Sequence, residues 1–291
     1  MIDLKTVRYC RLGTPDIESA AHFATTILGL EIAHRSTKSI HFKSDERDHT
    51  LCYFEGDPAD QTTGFEVGGA ADIEAAAKEL VSLGHEVHRG TTAECERRCV
   101  RDFIAFKDPS GNRIEVVLRP AHSGKRYHGM RDAGVTGFSH VGLYSTDVVR
   151  DEAFWTKVCN ARVSDRIGDA PLLRFDAVHH TIAILPGPKP GIHHINHQVE
   201  STDDVQKSYR VLLDQQVPIL LGPGRHPASS AQFLYFNGPD NLTFEYSVGV
   251  KMINDEPIYR ERQLPADLKG VCEWGARPTT PSLDLSAGRR A

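Results

Sequence analysis

An internal repeat limits what this chain can fold into more than any other feature. Arg8-Tyr9-Cys10-Arg11-Leu12-Gly13-Thr14-Pro15-Asp16 reads like Ser139-His140-Val141-Gly142-Leu143-Tyr144-Ser145-Thr146-Asp147, an offset of 140 − 9 = 131. Phe65-Glu66-Val67 matches His197-Gln198-Val199 (199 − 67 = 132), and Ile114-Glu115-Val116 matches Phe244-Glu245-Tyr246 (245 − 115 = 130). Three markers, in order and at nearly constant offset, mean that one unit of about 115 to 130 residues was duplicated. A chain of 291 residues suits two such modules.

Each copy reads as strand, helix, then several short strands, repeated once more. In the first copy, helix 17–29 follows strand 5–13, helix 72–83 follows strand 62–68, and Gly111-Asn112 turns into strand 113–118. In the second, helix 148–159 follows strand 137–145, helix 202–215 follows strand 191–199, and Gly238-Pro239-Asp240-Asn241 turns into strand 242–248. The expected class is α+β, with helices on one face of a curved mixed sheet. The expected division is a first module over 1–120, a polar, glycine-rich linker over 121–133, a second module over 134–250 and a tail over 251–291. That tail has no counterpart in the first half. Its prolines suggest an extended, partly mobile segment, with Trp274 available to pack over the second module.

The two copies differ most in histidine. Of 15 histidines, seven lie between 140 and 226. At repeat-matched positions the second copy has His140, His194 and Glu245, and the first has Tyr9, Thr62 and Glu115. By strand alternation His140 shares a face with Gly142 and Tyr144, opposite Val141 and Leu143. His194, Asn196 and Gln198 share one face, opposite Ile195, His197 and Val199. A lone strand histidine is usually a hydrogen-bonded structural residue. Here three positions agree with an internal repeat, and that favours a metal held by two neutral imidazoles and one carboxylate. Such a facial set suits non-haem Fe(II) oxygen chemistry, although ligand type alone leaves zinc open. His193 and His197 are expected to stay off the metal, and Glu115 to be structural.

Composition excludes other classes. A net charge of −5, from 34 basic and 39 acidic residues without a basic block, gives no footprint for nucleic acid. No run reaches the roughly 18 apolar residues of a membrane span, and the start MIDLKTVRYC lacks a signal-peptide core, so a cytoplasmic address is expected. Six scattered cysteines, of which only Cys95 and Cys99 lie close together, are expected to be reduced thiols.

These residues resemble the type I extradiol (catechol) dioxygenases of the vicinal oxygen chelate superfamily over roughly residues 3–250. Phe138-Ser139-His140-Val141-Gly142-Leu143 is similar to the first ligand strand, and His193-His194-Ile195-Asn196-His197-Gln198-Val199 to the second. Gly224-Arg225-His226, Tyr235 and Phe244-Glu245-Tyr246 resemble the closing signature. The resemblance implies two tandem modules, each of paired βαβββ units forming a funnel, with the metal kept only in the second. It implies Fe(II), or Mn(II), on His140, His194 and Glu245. It also implies an acid/base histidine on the strand before the second ligand, where register favours His180 over His179, and supporting roles for His226 and Tyr235, 19 and 10 residues before Glu245. The substrates implied are O₂ and a catechol, and a homo-oligomer is the family habit. Pro227-Ala228-Ser229-Ser230 departs from the Asn-Asp found in biphenyl-type members. Aryl-, alkyl- and carboxy-substituted catechols therefore all stay open, with a looser likeness to the 2,3-dihydroxy-p-cumate branch. Rival readings are another metal-dependent, glyoxalase-like enzyme of the superfamily and a non-enzymatic small-molecule binding protein.

Overall fold

Each half of the repeat folds twice into the same βαβββ unit in the computed structural model, which describes residues 1–284. The first unit is β1 (Leu4–Thr14), α1 (Ile17–His22, continued by one wider turn over Phe23–Ile27), β2 (Glu31–Arg35), β3 (Ser39–Lys43) and β4 (Leu51–Glu55). The second is β5 (Gln61–Val67), α2 (Ala70–Ser82), β6 (His88–Arg89), α3 (Thr92–Arg98), β7 (Val100–Lys107) and β8 (Arg113–Pro120). The second half repeats the plan with β9 (Val135–Ser145), α4 (Val148–Lys157), β10 (Arg162–Ile167), β11 (Ala170–Arg174) and β12 (Ile182–Pro186). Its last unit is β13 (Ile192–Val199), α5 (Thr202–Asp214), β14 (Ile219–Arg225), β15 (Gln232–Asn237) and β16 (Thr243–Val248).

The two units of each half join through their first strands, β1 with β5 and β9 with β13, both antiparallel. Eight strands result in the order β2-β3-β4-β1-β5-β8-β7-β6, and the second sheet runs β14-β15-β16-β13-β9-β12-β11-β10-β17, the last strand being Arg262–Leu264. Alternation decides which side of the second sheet each residue faces. Ile182 and Ile184 enter the main core with Trp155, Phe65 and Phe175, while Ala183 and Leu185 face the other way with Leu221, Phe233 and Tyr235. Trp155 is fully buried and its ring lies 5.3 Å from Phe65 of the first half, so one core spans both modules.

Strict alternation would put Phe138 on the His140 face. A bulge prevents this: Asn196 pairs with His140 and the next residue, His197, with Phe138, so β9 takes two steps for one of β13. Phe138 thus turns into the core. The first copy has the same bulge, with Gly64 opposite Tyr9 and Phe65 opposite Val7.

Strand and helix ends agree with the sequence reading to within about two residues, apart from the shortened α1. Helix α3 was not expected from the repeat, yet Thr91 and Glu94 form a capping box that starts it. Residues 251–284, the described part of the tail, are more ordered than expected, and residues 285–291 lie outside the described residues. Arg262–Leu264 adds strand β17 beside β10, and helix α6 (Leu268–Val271) follows. Trp274 is 52% exposed and does not anchor it. No described helix is long and apolar enough to cross a membrane.

Candidate metal centre

Strand β13 lies between β9 and β16, and Asn196 is the register partner of both His140 and Glu245. His194 is two residues away on the same face. This pairing brings His140 Nε2 within 3.1 Å of His194 Nε2 and of Glu245 Oε2, and His194 Nε2 within 3.6 Å of Glu245 Oε2. All three side chains are buried. Gly142, opposite His194, leaves room for the ring: a Cβ there would lie 2.4 Å from His194 Nδ1.

The donor atoms suit a cation. Ligand atoms about 2.1 Å from one ion and at right angles lie about 3.0 Å apart, close to the separations seen. Glu245 Oε2 is buried with no hydrogen-bond partner, a costly state for a carboxylate unless a cation takes it up. Burial, followed by the neighbouring imidazoles, pushes His180 and His194 well below the usual histidine range. Burial would raise Glu245, but the groups around it, His140 first, hold it well below the carboxylate range. Neutral imidazoles beside a carboxylate are the forms that ligate a metal.

The other three expected site residues lie around this cluster. The ring of His180 is 4.2 Å from that of His140. His226 Nε2 is 3.6 Å from Glu245 Oε1 and 3.1 Å from the Tyr235 hydroxyl. Burial and the Glu245 charge keep Tyr235 far above its usual pKa, so it remains an O–H donor. A pocket lined by His180, His193, His194, His226 and Tyr235 opens beside them, and apart from Ser229 and Ser282 the rest of its wall is apolar, including Leu172, Leu185, Leu221 and Leu283.

The first module fills the matched positions differently. Tyr9 donates to Glu115 at 2.6 Å, and Arg98 on α3 grips the same carboxylate through Nε and Nη2. A guanidinium neutralises that carboxylate from within the chain, so Glu115 is structural. A second group, His34, Asp48 and Cys99, also clusters donor atoms. There Asp48 accepts from both His34 and His49, so its donors are already paired, and His34 is largely exposed.

Sequence reasoning missed the partners behind the histidines. His179 is fully buried and bonds Asp165 at 2.9 Å. His193 bonds the Ser282 carbonyl at 2.8 Å. Neither brings a nitrogen into the donor cluster. The doublets His179-His180 and His193-His194, 14 residues apart, were the available signal.

Two modules of paired βαβββ units, with a converging two-histidine, one-carboxylate set in the second alone among the described residues, define a duplicated cup-shaped fold with one surviving centre. The chain belongs to the Glyoxalase/Bleomycin resistance protein/Dioxygenase superfamily, whose sequence profile matches residues 6–116 and 137–246. It is 26% identical to an iron-dependent extradiol dioxygenase of Rhodococcus jostii (strain RHA1), over 92% of this chain and 97% of that protein. It is 28% identical to the 3-methylcatechol 2,3-dioxygenase of Pseudomonas putida, over 87% and 92%. Its fold matches the crystal structure of BphC, a halotolerant catechol dioxygenase, with TM-score 0.87, 24% identity and 97% of each chain covered.

Proposed function

We propose that this chain is an Fe(II)-dependent extradiol dioxygenase, which splits the ring bond beside the two hydroxyls of a substituted catechol and inserts both atoms of O₂. The observation that carries the reading is the convergence of His140, His194 and the unpartnered Glu245 Oε2 beside a pocket with its own acid/base groups. In this reading residues 134–250 form the catalytic module, 1–120 a metal-free module and 121–133 the linker, in a cytoplasmic homo-oligomer.

His140, His194 and Glu245 would hold the ion, and Mn(II) accepts the same imidazole and carboxylate donors. When bound, the ion supplies Lewis acidity that eases ionisation of a catechol hydroxyl, and a route for electron density from substrate to dioxygen. Burial keeps His180 neutral, ready to take a hydroxyl proton and later return one. Tyr235 keeps its hydroxyl proton at the pocket wall, and His226 Nε2 lies 3.1 Å from that oxygen and fixes it.

The apolar wall narrows the substituent. No Lys or Arg lines the pocket, and a carboxylate buried against leucines would lose hydration without a partner. Alkyl and aryl groups suit such a wall chemically. The test is anaerobic Fe(II) loading, a panel of substituted catechols, and absorbance recorded on admitting air. A yellow ring-opened product is expected, with kcat/KM at least about tenfold higher for alkyl than for carboxy catechols. His180→Ala should keep its iron and lose about 10²- to 10⁴-fold in turnover. Stoichiometric metal binding with no product from any catechol would overturn the reading.

A further inference from the structure

Three histidines of the centre have their outer nitrogens tied, directly or through one neighbour, to acceptors held by the C-terminal segment. His226 Nδ1 lies 2.8 Å from the Val271 carbonyl. His194 Nδ1 lies 2.7 Å from His193 Nδ1, and His193 Nε2 lies 2.8 Å from the Ser282 carbonyl. His180 Nδ1 lies 3.1 Å from His179 Nδ1, and His179 Nε2 lies 2.9 Å from Asp165 Oδ2. Asp165 is itself pinned by the tail: Arg262 donates its backbone N–H and its guanidinium, and Tyr259 its hydroxyl.

The direction of each chain of hydrogen bonds follows from its far end. A backbone carbonyl and an ionised carboxylate can only accept. His193 must therefore carry its proton on Nε2, which leaves Nδ1 as an acceptor, so His194 must donate from Nδ1 and keep Nε2 bare. The opposite arrangement would set the lone pair of His193 Nε2 against that of the Ser282 oxygen. The same logic runs from Asp165 through His179 to His180. It reaches His226 in one step, which leaves His226 Nε2 to accept from Tyr235.

We propose that the segment Tyr259–Leu283 is a positioning frame that sets the proton positions of His180, His194 and His226, each with Nδ1 protonated and Nε2 bare. For His194 a bare Nε2 is what ligation requires, and for His180 it is what a base requires; these two consequences rest on the function proposed above, whereas the proton positions do not. His179, Asp165 and His193 are then positioning residues that act through their neighbours: none brings an atom into the donor cluster, and His193 reaches the pocket only as part of its wall. The frame also gives the tail, which has no counterpart in the first module, a reason to be present.

Asp165→Asn tests this with almost no change of shape. Oδ1 receives the Arg262 backbone N–H and Nε and the Tyr259 hydroxyl, whereas Oδ2 receives only the Arg262 Nη2 beside His179. The amide oxygen therefore takes the Oδ1 place, its NH₂ faces His179, and Arg262 Nη2 gives up this bond and keeps the Ala228 carbonyl. The chain of donors then reverses, and His180 should move its proton to Nε2. Long-range ¹H–¹⁵N spectra of metal-free, ¹⁵N-histidine-labelled protein read this directly. We expect His180 and His194 as Nδ1–H tautomers in the wild type, and only His180 switched in Asp165→Asn. His179→Asn, whose side-chain oxygen can stand in for the Nδ1 acceptor, should keep His180 as Nδ1–H and guards against a folding failure of the first variant. In turnover, the wrong tautomer from a carboxylate-to-carboxamide change costs up to about 10⁴-fold, so kcat of Asp165→Asn should fall at least about 10²-fold with metal content unchanged. His193→Leu should lose about 10- to 100-fold in metal affinity, restored by His193→Asn. A wild-type His180 or His194 protonated on Nε2, or an unswitched His180 in Asp165→Asn, would overturn the proposal. Correct tautomers in a protein that cleaves no catechol would instead remove only the proposed function.

Discussion

Gly142→Ala is the sharpest perturbation of the centre that leaves every polar group in place. The glycine is not in the left-handed region, so alanine suits its backbone and the effect comes from the added methyl alone. That carbon would stand 2.4 Å from His194 Nδ1, 2.5 Å from its Cε1 and 3.0 Å from Leu185 Cδ1. Relief to ordinary contact requires the imidazole to move by about 1 Å. His193 Nδ1 at 2.7 Å and His140 Nε2 at 3.1 Å hold the ring on two sides. Overpacking of this kind costs about 1–3 kcal/mol, or about 2–12 °C in Tm for a chain of this size. Displacing a ligand by about 1 Å should cost about 10²-fold in kcat/KM, and disturbing its support about 10- to 100-fold in metal affinity. Anaerobic calorimetric titration with Fe(II) measures the affinity, and thermal unfolding of the metal-free protein measures the packing cost. Wild-type affinity and turnover in a folded Gly142→Ala protein would refute the claim that a close-packed His194 holds the metal.

Stability of the metal-free protein should fall in mild acid. Burial lowers His197 from 6.5 to about 4, so between those values the unfolded chain takes up a proton that the folded one does not, and up to about 3 kcal/mol is lost as pH drops from 6.5 to 4. Both ring nitrogens of His197 are buried without partners, so His197→Phe should stabilise the protein and flatten this part of the pH profile in urea unfolding. In the first module, Arg98→Met would strand the buried Glu115 carboxylate and should cost about 3–5 kcal/mol, read from the shift in urea midpoint. An unchanged midpoint would mean that Glu115 has another source of compensation.

The duplication, the strand ends and the convergence of His140, His194 and Glu245 were readable from sequence for one reason. Each rests on period-two alternation and a fixed offset between copies. Phe138 packs with Val141 and Leu143 against strict alternation, because a bulge at Ser139 shifts the register by one residue. Arg98 escaped because it lies on a helix where the second copy has the turn carrying His226, so the repeat gave no partner to compare. The support from Asp165, Tyr259, Arg262 and Ser282 was hidden for a different reason. These contacts span up to 97 residues, and two of the three terminal acceptors are backbone carbonyls that carry no residue signature.

The central claim is that the second module joins both atoms of one O₂ to a catechol at a metal held by His140, His194 and Glu245. The most direct measurement is the mass of the ring-opened product formed by Fe(II)-loaded protein from an alkyl catechol under ¹⁸O₂, with O₂ uptake followed alongside. The account predicts two labelled oxygens per product, one O₂ consumed per catechol, and neither signal from Glu245→Gln. A product with one labelled oxygen or none, or an undiminished rate in Glu245→Gln, would contradict it.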